Sequence, residues 1–218
     1  MGRSERAHAS REVQRVRDMP APRKNESAAG GAVQWIFQWP YRGILAFLLW
    51  TRVRPWQLTA ASPLLICLSG VLIITQDWFA AGWVLLAGGL CDVFDGSVAR
   101  HRGEVKRSGA FMDSVIDRLA DAIVFSCLFW TFARRGDELE AFLALITLIV
   151  SLSVSYVRAE AEAAGVRLTE GFFQRLERML ALMIALIIPG MMLPMLVLLA
   201  GLGSLTVMQR AFFALKEA

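Results

Sequence analysis

The stretch Trp78–Arg100, WFAAGWVLLAGGLCDVFDGSVAR, carries no charge before Asp92, then sets two carboxylates, Asp92 and Asp95, near the end of an apolar run. A helix needs about 20 predominantly apolar residues to cross the hydrocarbon core. Working outward, residues 55–76, 141–157 and 179–209 are likewise free of charge. The whole chain of 218 residues is 56% hydrophobic with a mean hydropathy of +0.49. In a soluble domain polar residues interrupt the apolar ones every few positions. Here those interruptions nearly vanish over long runs, which predicts an all-α integral membrane protein.

Six transmembrane helices are expected, preceded by an interfacial amphipathic helix. Residues 1–31 are polar and mixed in charge, with Pro20, Pro22, Gly30 and Gly31 towards their end, and read as a flexible cytoplasmic tail. No apolar segment of signal-peptide type follows the first methionine. Residues 32–54 mix Trp35, Trp39, Tyr41 and Trp50 with Arg42, Arg52 and Arg54, a composition suited to the headgroup level. The six spans would occupy 55–214: 56–76, 78–100, 108–133, 139–162, a fifth beginning near Phe172, and 193–213. Pro189, Gly190 and Pro194 break the long uncharged run and predict a hairpin between the last two.

Basic residues gather in the tail, the 101–107 loop, the 158–178 connection and the C-terminal end. The positive-inside rule then places both termini, and the 101–107 loop, on the cytoplasmic side of the cell membrane. The net charge of +4 follows that topology rather than a groove-binding patch, so no nucleic-acid partner is expected. Cys67, Cys91 and Cys127 lie far apart in apolar stretches, without metal-ligand spacing.

Charge inside a span costs about 2.5–3.5 kcal/mol per residue on the insertion scale, so each one needs a reason. Asp92 and Asp95 are three residues apart on the second span, and Asp113 and Asp117 are four apart on the third. Both spacings put the side chains on a single helix face. At about 1.5 Å per residue, both pairs lie within roughly 15 Å of the loop joining the two spans. Two antiparallel neighbours should therefore bring all four carboxylates together. Four facing carboxylates cannot all stay ionised without cations. Oxygen ligands with no His or Cys in the set select Mg²⁺ or Mn²⁺. Two such ions suit phosphoryl chemistry on a diphosphate. Gly96, Ala99 and Gly109 leave room beside the aspartates, and Arg100 stands where a phosphate can be paired. A structural ion-pair network with Arg100 and Arg118 would explain neither the glycines nor the spacing. Asp121, one turn beyond Asp117, either supports Arg118 or stands behind the site.

Read as one string, the segment is Asp92-x-x-Asp95-Gly96-x-x-Ala99-Arg100-x8-Gly109-x3-Asp113-x3-Asp117. It resembles, at every specified position, the signature of the CDP-alcohol phosphotransferase family. With about one residue in fifteen matching at random, eight fixed positions agree by chance on the order of once in a billion. The resemblance implies two divalent cations, CDP-diacylglycerol as donor, a polar alcohol as acceptor, release of CMP, and a homodimer. It further implies that Asp92, Asp95, Asp113 and Asp117 are metal ligands and that Asp117 is also the base for the attacking hydroxyl. Gly96, Ala99, Arg100 and Gly109 would line the nucleotide and diphosphate site. Pro55–Thr59 looks like the family's start of span one, with Trp56 where Asn or Asp is common.

The stretches 155–162 and 175–178 resemble the phosphatidylinositol phosphate synthases of that family, with Glu160 in place of an Arg and Leu176 in place of a Pro. Arg158, Arg175 and Arg178 form a basic group suited to binding a phosphorylated acceptor. Inositol phosphate is the leading expectation, with glycerol 3-phosphate or an unphosphorylated alcohol such as serine behind it. A cation transporter using the aspartates is the reading from another class. Against it, the acidic residues cluster at one depth.

Overall fold

The computed structural model describes residues 41–51, 53–104, 107–166 and 175–217. The expected tail over 1–31, and the first part of the expected interfacial helix, lie outside them. The chain divides into two compact units, one ending at Val53 and the other running from Arg54.

In the first unit, α1 (Tyr41–Trp50) is a short apolar helix within the expected interfacial segment. It ends where the Thr51 hydroxyl donates back to the carbonyls of Phe47 and Leu48. Phe47 and Trp50 are exposed, with ring centroids 6.1 Å apart.

In the second unit the described helices are α2 (Pro55–Ile74), α3 (Trp78–Arg102), α4 (Arg107–Arg135), α5 (Glu138–Ala163), α6 (Arg175–Ile187) and α7 (Met192–Glu217). Pro55 opens α2 at its first position, where a missing N–H costs nothing. The Arg54 backbone N–H donates to Gln57 Oε1 at 2.8 Å and completes that end. Asp77 caps α3 by accepting from the Ala80 N–H. That helix runs two residues further than expected, to Arg102, and the following Gly103, with φ of +69°, supplies the left-handed stop. Gly190, φ +80°, makes the expected hairpin turn between α6 and α7.

Among the described residues there is no strand, and α2, α3, α5 and α7 are long and apolar enough to cross a membrane. Within their apolar windows only 28–39% of residues are buried. Leu64, Leu68, Trp83, Ile149 and Val197 stand in the open. Soluble monomers rarely expose contiguous apolar surface on this scale; a bilayer covers it. The 29-residue α4 is long enough, but Asp113, Asp117, Arg118 and Asp121 take it out of the apolar class. Only 13 residues of α6 are described.

Packing follows a closed circuit. α2 lies against both α3 and α4, α3 against α6, α6 against α7, α7 against α5, and α5 against α4. Small residues allow the close approaches, as in other membrane helices. A Cβ on Gly82 of α3 would meet Ile187 of α6 at 2.6 Å, and one on Gly203 of α7 would meet Val150 of α5 at 2.5 Å. The two aspartate-bearing helices, expected to be neighbours, do not pack closely along their length. Each leans on α2, and their carboxylates meet across the interior.

Candidate metal and phosphate site

α3 and α4 point their acidic faces into that interior. One carboxylate oxygen from each of Asp92, Asp113 and Asp117 lies within 4.8 Å of the other two. Asp92 is 8% exposed, Asp117 is half-buried, and Asp113 opens to the surface. The group therefore grades from a closed end to an open one, a shape a ligand can enter. Ionised carboxylates this close repel strongly where water is scarce. All donors are carboxylate oxygens, the set that suits hard divalent cations. The residues present thus fit a bound Mg²⁺ or Mn²⁺.

Asp95 stands on the same face, one turn along, and takes a different partner. The Thr59 hydroxyl of α2 lies 2.6 Å from Asp95 Oδ2 and donates to it. A ligating carboxylate is commonly oriented by such a bond. The Pro55–Thr59 stretch, singled out in the sequence without a stated contact, supplies that bond.

The small residues behave unequally. Arg100 folds back along its helix, donating from Nη2 to Ser97 Oγ at 3.0 Å. Its Nη1 lies 3.3 Å from where a Cβ on Gly96 would stand. Gly96 thus gives the guanidinium its seat. Gly109 borders open space one turn before Asp113. Ala99 is half-buried on α3.

The basic residues form a second group. Arg178 is 9% exposed, and its Nη2 donates to Asp121 Oδ2 at 2.9 Å. Ser151 Oγ of α5 donates to the same oxygen. Asp121 therefore pairs with Arg178, while Arg118 donates to the Ser114 carbonyl on its own helix. Arg158 is exposed and pairs with Glu162 at 2.9 Å. The side chain of Arg175 lies outside the described residues. Tyr156 and Glu160 are both exposed. They lie away from the face where Val154 and Ala161 are buried.

Arg210 of α7, counted in the sequence only among the basic residues of the C-terminal end, is brought close to this group. It is 7% exposed, and its Nη1 donates to the Val154 carbonyl at 3.1 Å. The charges that act on it are Arg158, Arg178 and Glu162. The usable signal was a single charge closing the long uncharged run 179–209, with no acidic residue within a turn to pair it.

Comparisons with known proteins give the chain its relatives. A family model described as CDP-alcohol phosphatidyltransferase matches residues 52–214. The chain is 34% identical over 166 residues to the archaetidylinositol phosphate synthase of Pyrococcus horikoshii, covering 76% of this chain and 85% of that one. It superposes on the phosphatidylinositol phosphate synthase of Mycobacterium tuberculosis crystallised with CDP-DAG bound, with a TM-score of 0.70 and 30% identity. That match covers 79% of this chain and 92% of the other. The same enzyme in complex with manganese and citrate matches with a TM-score of 0.71 at 30% identity, over 79% of this chain and 87% of that one.

Proposed function

The chain belongs to the CDP-alcohol phosphatidyltransferase family, and from that premise we propose that it moves a phosphatidyl group from CDP-diacylglycerol onto the hydroxyl of a phosphorylated polar alcohol such as inositol phosphate. CMP is the second product. The observation that carries this reading is the meeting of Asp92, Asp113 and Asp117 from two helices, with the Arg158, Arg178 and Arg210 group on the neighbouring ones. An acidic cluster serves the diphosphate through cations, and a basic cluster serves an acceptor that brings its own phosphate.

Asp92, Asp95, Asp113 and Asp117 would hold two divalent cations. When bound, these supply charge neutralisation of the diphosphate and of the leaving CMP. The remaining chemistry falls to the side chains. Asp117 takes the proton of the acceptor hydroxyl, whose oxygen then bonds to the phosphorus attached to diacylglycerol. The bond from that phosphorus to the bridging oxygen breaks, and the electron pair leaves with CMP. Arg100, seated over Gly96, pairs with the donor diphosphate; Ala99 and Gly109 leave space for it. Arg158, Arg175, Arg178 and Arg210 hold the acceptor phosphate so that its hydroxyl faces the reacting phosphorus. Such positioning supplies a large part of the acceleration in reactions of this type.

The membrane arrangement belongs to the same reading. α4 and α6 join the four apolar helices as spans, giving six, with α1 in the interfacial segment. Termini and site face the cytoplasm, where soluble acceptor enters while lipid donor arrives from the bilayer. A homodimer is the expected assembly. The direct test incubates purified protein with CDP-diacylglycerol, Mn²⁺ and a panel of inositol phosphate, glycerol 3-phosphate, inositol and serine, and measures CMP release. Turnover with inositol phosphate is expected. Turnover with serine or free inositol alone would remove the basic cluster from the acceptor site.

A further inference from the structure

Asp113, Asp117 and Asp121 form one stripe along α4, each four residues from the next. The first two turn to Asp92, whereas Asp121 turns to the other helices. Its Oδ2 accepts from Ser151 Oγ of α5 and from Arg178 Nη2 of α6, with the arginine pair at 2.9 Å. α4 and α6 do not pack closely, so this pair spans the interior between them. Buried ion pairs seldom add net stability, because desolvation offsets the attraction. The pair therefore calls for a role other than holding the fold together.

Two further observations indicate what that role is. Arg178 Nε is buried without a hydrogen-bond partner, so donor capacity beyond the bond to Asp121 is held in reserve. The cavity beside the pair, lined by Asp121, Arg178, Ala120, Met179 and Leu182, holds about 20 Å³. That is room for one water and too little for a phosphate. In the proposed function the acceptor phosphate takes up that reserve, shared with Arg210, on which the charge of Arg178 acts. Asp121 supplies the counter-charge to Arg178, whose own charge reaches Arg210.

We propose that Asp121, seconded by Ser151, is a positioning residue for the acceptor: it keeps Arg178 buried and aimed at the acceptor phosphate, and so links the stripe that carries the base to the basic cluster. The inference rests on the proposed function, in which the acceptor is phosphorylated.

The experiment measures steady-state CMP release by the full chain in bilayer nanodiscs, varying CDP-diacylglycerol and inositol phosphate separately. Asp121→Asn keeps the shape and removes the charge. It should raise the KM for inositol phosphate about tenfold, the loss expected when a charge-assisted hydrogen bond is weakened. kcat and the KM for CDP-diacylglycerol should stay within about twofold of the wild type. Asp121→Glu should recover part of the loss. Combined with Arg178→Lys, Asp121→Asn should add little further, since the two act as a unit. Ser151→Ala, the milder change, should move the same KM in the same direction and carries the test if Asp121→Asn does not fold. A fall in kcat with the acceptor KM unmoved, or an equal rise in both KM values, overturns the proposal. If wild type turns over inositol phosphate and neither variant shifts its KM, this inference alone fails. If wild type uses only unphosphorylated alcohols, the proposed acceptor fails with it.

Discussion

Asp92, Asp113 and Asp117 meet within 4.8 Å from two helices, whereas Arg158, Arg178 and Arg210 come from three different helices, α5, α6 and α7. Both regions bring like charges together, and each offsets the repulsion differently. Among the arginines the offset is partly internal: Asp121 faces Arg178, Glu162 faces Arg158, and the Val154 carbonyl receives Arg210. The acidic group has oxygen ligands of one type converging on an opening, the arrangement that a divalent cation completes. The contrast suits the proposed function, in which ions would complete the acidic region and a braced basic region would receive the acceptor's phosphate. A phosphate-binding arginine gains precision from being braced, as a ligating carboxylate does from a bond such as that of Thr59 to Asp95.

The sharpest way to break this comparison is to remove the ions. Chelation by EDTA should abolish CMP release, and Mn²⁺ or Mg²⁺ should restore it; full activity without divalent metal would sink the acidic half of the contrast. Next in size, Asp117→Asn should fold and insert, yet lower kcat by about 10²- to 10⁴-fold, the usual worth of a general base or acid. Substantial residual turnover would deny it that role. On the basic side the loss should appear in binding. Arg210→Ala should raise the KM for a phosphorylated acceptor about ten- to hundredfold while sparing that for CDP-diacylglycerol. Equal loss for both substrates would merge the two regions into one site.

Thr59→Val should weaken metal binding about tenfold, the lower end for a residue that orients a ligand, seen as a higher Mn²⁺ concentration for half-maximal rate. An unchanged metal requirement would leave the Thr59–Asp95 bond a structural detail. The smallest effect is expected at Glu160→Gln. Its carboxylate is exposed, so stability should change by less than about 0.5 kcal/mol. A large change in acceptor KM there would return Glu160 to the acceptor pocket.

Much of the acidic region was legible before folding because helix geometry is local. A spacing of three or four residues decides which side chains share a face wherever the helix ends up. The hairpin at Gly190 and the apolar helices were legible for similar reasons, turn chemistry and run length. The basic region was less legible. Arg158 and Arg178 stood out by resemblance, but Arg210 lies more than thirty residues further on, in another helix. Its meeting with them follows from α7 packing on α5 and α6, which no spacing encodes. Asp121 illustrates the same limit. Its place on the stripe of Asp113 and Asp117 was visible, and two readings stayed open, support of Arg118 or a place behind the site; neither named Arg178, 57 residues on.

The sequence by itself determined that this is an all-helical membrane chain with two acidic helix faces at one depth. Apolar run length and helical period are properties of consecutive residues, and the bilayer reads them directly. Only the tertiary structure decided how those faces meet. α3 and α4 do not pair along their lengths; each is set by α2, which also sends Thr59 to Asp95. The same closed circuit of helices placed Arg178 against Asp121 and Arg210 against Val154. Those contacts join residues 57 and 56 positions apart, and at such separations packing, not local conformation, selects the partner.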